Sequence, residues 1–172
     1  MAADDPIAVL KALTQADLAP LPMTYRTTVS KEHIDMMGHM NVRWYFDMFS
    51  RAVGEVYHRF GITQDYVSEQ RAGAFALESH IRYLAEAREG DDVAVYTRFI
   101  GRSSKRFRLM QFMWNKSGDR LAATFESTFA HIDMKKRRMS PLPDEIGSQF
   151  DETLKQHGGL PWAAPVCASM RV

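Results

Sequence analysis

The sequence predicts an α+β domain in which one long helix is wrapped by a curved, five-stranded antiparallel sheet, and three observations carry that prediction. Apolar and aromatic residues recur at helical spacing through Val42, Tyr45, Phe46, Phe49, Val53, Val56, Tyr57 and Phe60. From Gly73 onward the period changes to that of strands, in four segments joined by short turns. A single strand-like segment precedes the helix, so the order is strand, long helix, meander, with helices on one face of the sheet.

Taken in order, Asp5 to Asp17 shows Ile7, Leu10, Leu13 and Leu18 at mixed three and four spacing, with Pro6 tolerated in a first turn, and predicts one short appended helix. Pro20 and Pro22 end it. Met23 to Val29, rich in Thr, Tyr and Val, reads as the first strand. The long helix has Asn41 as its N-cap and Gly61 past its end. Its apolar stripe is wide enough to be wrapped by a curved sheet. Thr63 caps a second short helix reaching Glu69. The meander strands are Phe75 to Leu84, Val93 to Ile100, Lys105 to Trp114 and Leu121 to Met134, and their short connections require antiparallel neighbours. In the last strand Leu121, Ala123, Phe125 and Phe129 alternate with Thr124, Glu126 and Thr128, which predicts one core face. The chain thus divides into an N-terminal helical extension (1–21), a main domain (22–145) and a C-terminal helix with a flexible tail (146–172).

Composition narrows the function. A net charge of +1 gives no electrostatic case for nucleic acid or a membrane surface. Cys167 is the single cysteine, so an intramolecular disulfide framework is excluded, and a reducing cytoplasm is expected. No stretch approaches the apolar length of a bilayer span.

The chemistry concentrates just before the long helix, in KEHIDMMGHMNVRWYFDMF from Lys31 to Phe49. Asp35 and His39 are ionisable, Gly38 permits a tight turn, and the first helical turn offers N–H groups without intrahelical partners. With the helix macrodipole, that place favours an anion or a polarised carbonyl oxygen. On spacing alone Asp35 reads as an Asx-turn residue. His33-x-Asp35-x₃-His39 matches no zinc spacing, so no metal is expected.

The run Asp35-Met36-Met37-Gly38-His39-Met40-Asn41, followed by an aromatic-rich helix, resembles the D-x-x-G-H-x-N motif of hotdog-fold acyl-CoA thioesterases of the 4-hydroxybenzoyl-CoA thioesterase type. The likeness spans roughly Pro22 to Pro143 and includes the order of elements. It implies a hotdog fold and thioester hydrolysis to a carboxylic acid and CoA. It also implies a homodimer or homotetramer with sites shared between subunits, and no cofactor beyond the CoA of the substrate. Asp35 takes the place of the acidic nucleophile or base, with Gly38, His39, Asn41 and Val42 completing the catalytic bend. Met36, Met37 and Met40 carry thioethers that suit an acyl pocket or equally the core, and Tyr45 is expected to contact the acyl group. Two basic clusters, Arg102-Ser103-Ser104-Lys105-Arg106 and Lys135-Lys136-Arg137-Arg138, offer donors for the CoA phosphates. A hotdog hydratase using His39, and a non-catalytic acyl-CoA-binding or protein-interaction module, remain as alternatives. Glu78 is a reserve carboxylate.

Overall fold

A computed structural model describes residues 6–172. Strands β1 (Met23–Thr28), β2 (Ala72–Tyr83), β3 (Asp92–Arg102), β4 (Arg106–Asn115) and β5 (Arg120–Asp133) form one antiparallel sheet in the order β1-β3-β4-β5-β2. A two-residue β6 (Arg138–Met139) pairs with Ile132 and Asp133 of β5, adding one short strand to the five expected. Pairing shifts register at Leu77 in β2 and at Ile100 in β3. Such bulges increase local twist and let a sheet curl.

The helix α3 (Val42–Arg59) lies against the inner face, where Tyr45, Met48, Phe49, Ala52, Val53 and Val56 are buried with Val95, Phe107, Leu109 and Phe129. Asn41 is its N-cap, and Gly61, at φ +77°, occupies the left-handed region just beyond its end. Thr63 caps α4 (Gln64–Gln70), accepting the Tyr66 N–H at 3.2 Å. The helix α5 (Asp144–Gly158) contributes Ile146 and Phe150 to the same core.

Three expectations change. The N-terminal helix is two helices, α1 (Pro6–Ala12) and α2 (Gln15–Leu18); Asp5, where it was expected to begin, lies outside the described residues. The break comes at Thr14, which forms a capping box with Asp17: the carboxylate accepts the Thr14 N–H at 2.8 Å and the Thr14 hydroxyl accepts the Asp17 N–H. The second change concerns the outer sheet face, which is also core. Leu10, Leu13, Leu18 and Leu21 pack there on Ala94, Tyr96, Met110, Phe112 and Trp114. Helices therefore cover both faces, and Thr124, Glu126 and Thr128 of β5 are buried despite their alternation.

The third change is the C-terminal tail, expected to be flexible and instead bonded along that outer face. Arg108 donates to Met170 O (2.7 Å) and Cys167 O (2.8 Å), and the Glu126 carboxylate accepts the Cys167 N–H at 2.7 Å. Arg98 donates to Trp162 O (2.9 Å) and His157 O (3.0 Å). Arg108 and Glu126 form a buried ion pair, and burying such ions costs several kcal/mol each unless the remaining donors and acceptors are filled. The tail backbone fills them.

Candidate active site

The bend before α3 is closed by its own backbone. The Asp35 N–H donates to His39 O (2.9 Å) and the Gly38 N–H to Asp35 O (3.0 Å), while Gly38 takes φ +80°, a conformation open to glycine. The Asp35 carboxylate accepts the Met37 N–H through Oδ1 at 2.8 Å, the Asx-type geometry that spacing suggested. Its other oxygen has no partner among the described residues.

The first turn of α3 has one N–H to offer. The Asn41 side chain accepts the Arg43 N–H (3.1 Å) and Asn41 O accepts that of Trp44 (2.9 Å). The Met40 and Asn41 N–H groups, just ahead of the helix, bond to Ala87 O (2.8 Å) and His33 O (2.9 Å). Val42, at the first helical position, keeps its N–H.

Beside this turn lies a cavity of about 320 Å³ lined by His39, Met40, Val42, Tyr45, Tyr83, Leu84, Ala85 and Glu86. His39 Nε2 lies 2.6 Å from a Glu86 carboxylate oxygen, and the other Glu86 oxygen accepts from Arg88 at 2.6 and 3.1 Å. The hydrogen bond from Arg88 holds the Glu86 carboxyl below the usual range, with the Arg88 and His39 charges adding to the effect. Tyr45 is buried and its hydroxyl donates to Ala85 O (3.3 Å) while accepting the Ala87 N–H (3.1 Å); burial raises its phenol above 10. Met40 belongs to the core and lines the cavity, whereas Met36 (97% exposed) and Met37 (73%) stand free at the tip of the bend. The ring of His33 accepts the Ser30 N–H at 2.9 Å and packs edge-on against Trp44. Among the described residues no group of three or more His, Cys, Asp or Glu could hold a metal ion.

The basic clusters lie elsewhere in the same chain. Val29 N–H bonds to Asp91 O, setting the bend at the start of β3, whereas Arg102 to Arg106 form the hairpin at its finish. At about 3.3 Å per residue the separation is roughly 30 Å. Arg102 is engaged by Asp151 of α5, the Ser103 hydroxyl accepts the Arg106 N–H (3.2 Å), and Ser104 O and Lys105 O accept from Leu142 and His131. Arg137, at φ +51°, and Arg138 are exposed at that same far end. Glu78 sits on β2, exposed, next to the bulge. Sequence reasoning missed Tyr83 and Glu86, because nothing in Tyr83-Leu84-Ala85-Glu86 signals that it returns to a motif more than forty residues earlier.

Comparison with known proteins agrees with this geometry. A model of the thioesterase-like superfamily matches residues 29–150, from the end of β1 into α5. The chain is 26% identical over 138 residues to a betainyl-CoA thioesterase of Pseudomonas aeruginosa, covering 80% of this chain and 87% of that one. It is 31% identical over 133 residues to an L-carnitine dehydrogenase/betainyl-CoA thioesterase of Agrobacterium fabrum, of which it spans only 27% while 73% of this chain is matched. A Staphylococcus aureus protein solved in complex with CoA shares the fold, with a TM-score of 0.79 at 24% identity over 88% of this chain and 96% of that one. With the family match spanning the Asp35 bend, the start of α3 and the cavity beside that helix, the chain belongs to the thioesterase-like superfamily and is an acyl-CoA thioester hydrolase.

Proposed function

We propose that this hydrolase takes short acyl-CoA thioesters whose acyl group carries a quaternary ammonium, and that it does so as a homodimer in the cytoplasm. The reading rests on the Asp35 bend, which leaves one carboxylate oxygen without a partner among the described residues and leads directly into the first turn of α3, where the Val42 N–H is unbonded. The Val42 N–H and the helix dipole polarise the thioester oxygen and hold the charge that develops there. Asp35 either attacks the carbonyl carbon, giving a mixed anhydride that water then opens, or takes a proton from the attacking water. In both cases the C–S bond breaks, CoA leaves as thiolate, and no cofactor or metal enters.

The acyl class rests on the relatives' names together with the cavity wall. Tyr83 presents a half-exposed ring there, which suits a trimethylammonium group by cation–π attraction. The dimer rests on β2, whose outer edge is unpaired in the protomer and carries exposed Phe75, Leu77 and Tyr83 beside Val42 and Phe46 of α3. Two such edges joined antiparallel would bring the far end of one sheet to the bend of the other. The partner's Arg137 and the partner's Arg138 would then be in reach of CoA phosphates that each chain's own two basic clusters are too distant to meet. A tetramer stacked through the outer sheet face is disfavoured, since the chain's own helices and tail occupy that face.

A thioester panel tests the reading. Betainyl-CoA is expected to exceed its neutral isostere 3,3-dimethylbutyryl-CoA at least about ten-fold in kcat/KM, which corresponds to about 1.4 kcal/mol, between an exposed and a desolvated cation–π contact. Equal rates would remove the cationic class, and no hydrolysis of any acyl-CoA in the panel would remove the reaction.

A further inference from the structure

We infer that Glu86 is a positioning residue for the hydrolysis, acting through His39; the inference rests on the site proposed above. An exposed ion pair contributes about 0–1 kcal/mol to stability, so a stray surface contact would need no support. This one is braced from every side. The Tyr45 hydroxyl bonds both neighbours of Glu86, through Ala85 O at 3.3 Å and the Ala87 N–H at 3.1 Å. Ala87 O accepts the Met40 N–H at 2.8 Å, tying the residue after Glu86 to the residue after His39. Arg120 donates to Glu86 O at 3.2 Å, and Arg88 holds one carboxylate oxygen at 2.6 Å. With the backbone from Ala85 to Ala87 held by four hydrogen bonds and one carboxylate oxygen taken, the remaining Glu86 oxygen has a single task, the 2.6 Å contact with His39 Nε2.

That contact orients the imidazole. His39 O and the Asp35 N–H close the catalytic bend, so the backbone of His39 is shared with the Asp35 turn, while its ring lines the cavity next to Val42. A ring held by Glu86 keeps the cavity mouth beside the Val42 N–H in one shape. Without Glu86 the ring, 37% exposed, can rotate toward solvent or across the thioester. Glu86 itself needs no contact with the reacting atoms.

A double-mutant cycle on purified enzyme tests this, using the thioester that the wild-type enzyme hydrolyses best. Glu86→Gln is expected to lower kcat about ten-fold, in the range of coupling between residues in contact, with KM changed less than about two-fold and the melting temperature nearly unaltered. In a His39→Ala background the same change should cost less than about two-fold, because its route of action is gone. Glu86→Asp, keeping the charge on a shorter arm, should recover part of the lost kcat. Losses that multiply in the double variant would assign Glu86 a role independent of His39 and overturn the inference, as would a Glu86→Gln enzyme within two-fold of wild type. A loss confined to betainyl-CoA and absent with neutral thioesters would instead make Glu86 the counter-charge of the acyl cation, which also overturns it. Inactivity of the wild type on every thioester would mark failure of the proposed function rather than of this inference.

Discussion

Asp35 and His157 show what a single residue can and cannot announce. Asp35 stands out in the sequence because its neighbours form a motif, while its side chain makes the Asx contact that any loop aspartate could make. His157 was not legible: it accepts the Phe99 N–H at 2.9 Å from 58 residues away, pinning the last turn of α5 to β3. Burial, and then the adjacent Arg98 guanidinium, push its imidazole down to about 4 from an ordinary value near 6.5. Between those values the unfolded chain binds a proton that the folded chain refuses. The stabilisation is therefore complete above about pH 6.5 and is lost as pH falls toward 4, up to about 3 kcal/mol in all. His157→Gln, whose amide oxygen can still accept the Phe99 N–H, should flatten this part of the stability curve. Melting temperatures of both proteins from pH 7 to pH 4 check it, since carboxylates titrate alike in the two and cancel in the difference. Parallel curves would mean that His157 is not held neutral by the fold.

Among the elements, those that declare themselves locally were read closely and those that depend on distant chain were not. The α3 helix, its Asn41 cap, the Thr63 cap and the four meander strands follow from spacing and capping chemistry, and their observed bounds differ by a few residues. The covered outer face could not be read, because alternation in β5 describes a strand with one wet side. It takes α1, α2 and a tail from the other end of the chain to close the second side. The tail contacts join Arg108 to residues 59 and 62 positions later, with no local pattern to mark them. Ending the chain after Gly159 would leave Arg98, Arg108 and Glu126 in place without the Trp162, Cys167 and Met170 backbone that satisfies them. Stripping partners from buried charges costs about 3–5 kcal/mol, which in a domain of this size lowers the melting temperature by roughly 10 °C. Thermal denaturation of the truncated chain measures this, and a shift below about 2 °C would show the tail to be ornamental.

At the scale of the whole molecule the sheet ends at an open β2 edge. Phe75 and Leu77 are about half exposed on an edge strand, and the two basic clusters sit roughly 30 Å from the site they were expected to serve. The proposed antiparallel β2 seam would resolve both, so a charge placed on it should separate the protomers and remove activity together. Leu77→Lys is expected to sediment at the mass of one chain at micromolar concentration, where the wild type sediments at twice that, and to lose at least about ten-fold in kcat/KM for acyl-CoA. An active monomer would refute the shared site. The central claim is that the Asp35 bend performs the hydrolysis, and release of the CoA thiol by purified Asp35→Asn tests it most directly. Loss of a single oxyanion donor costs about 10²–10³ in kcat in a studied hydrolase, and removal of the reacting carboxylate should cost at least as much. The expected result is a folded dimer that still binds acyl-CoA and turns over at least about a hundred times more slowly than wild type; turnover within a few-fold of wild type would contradict the account.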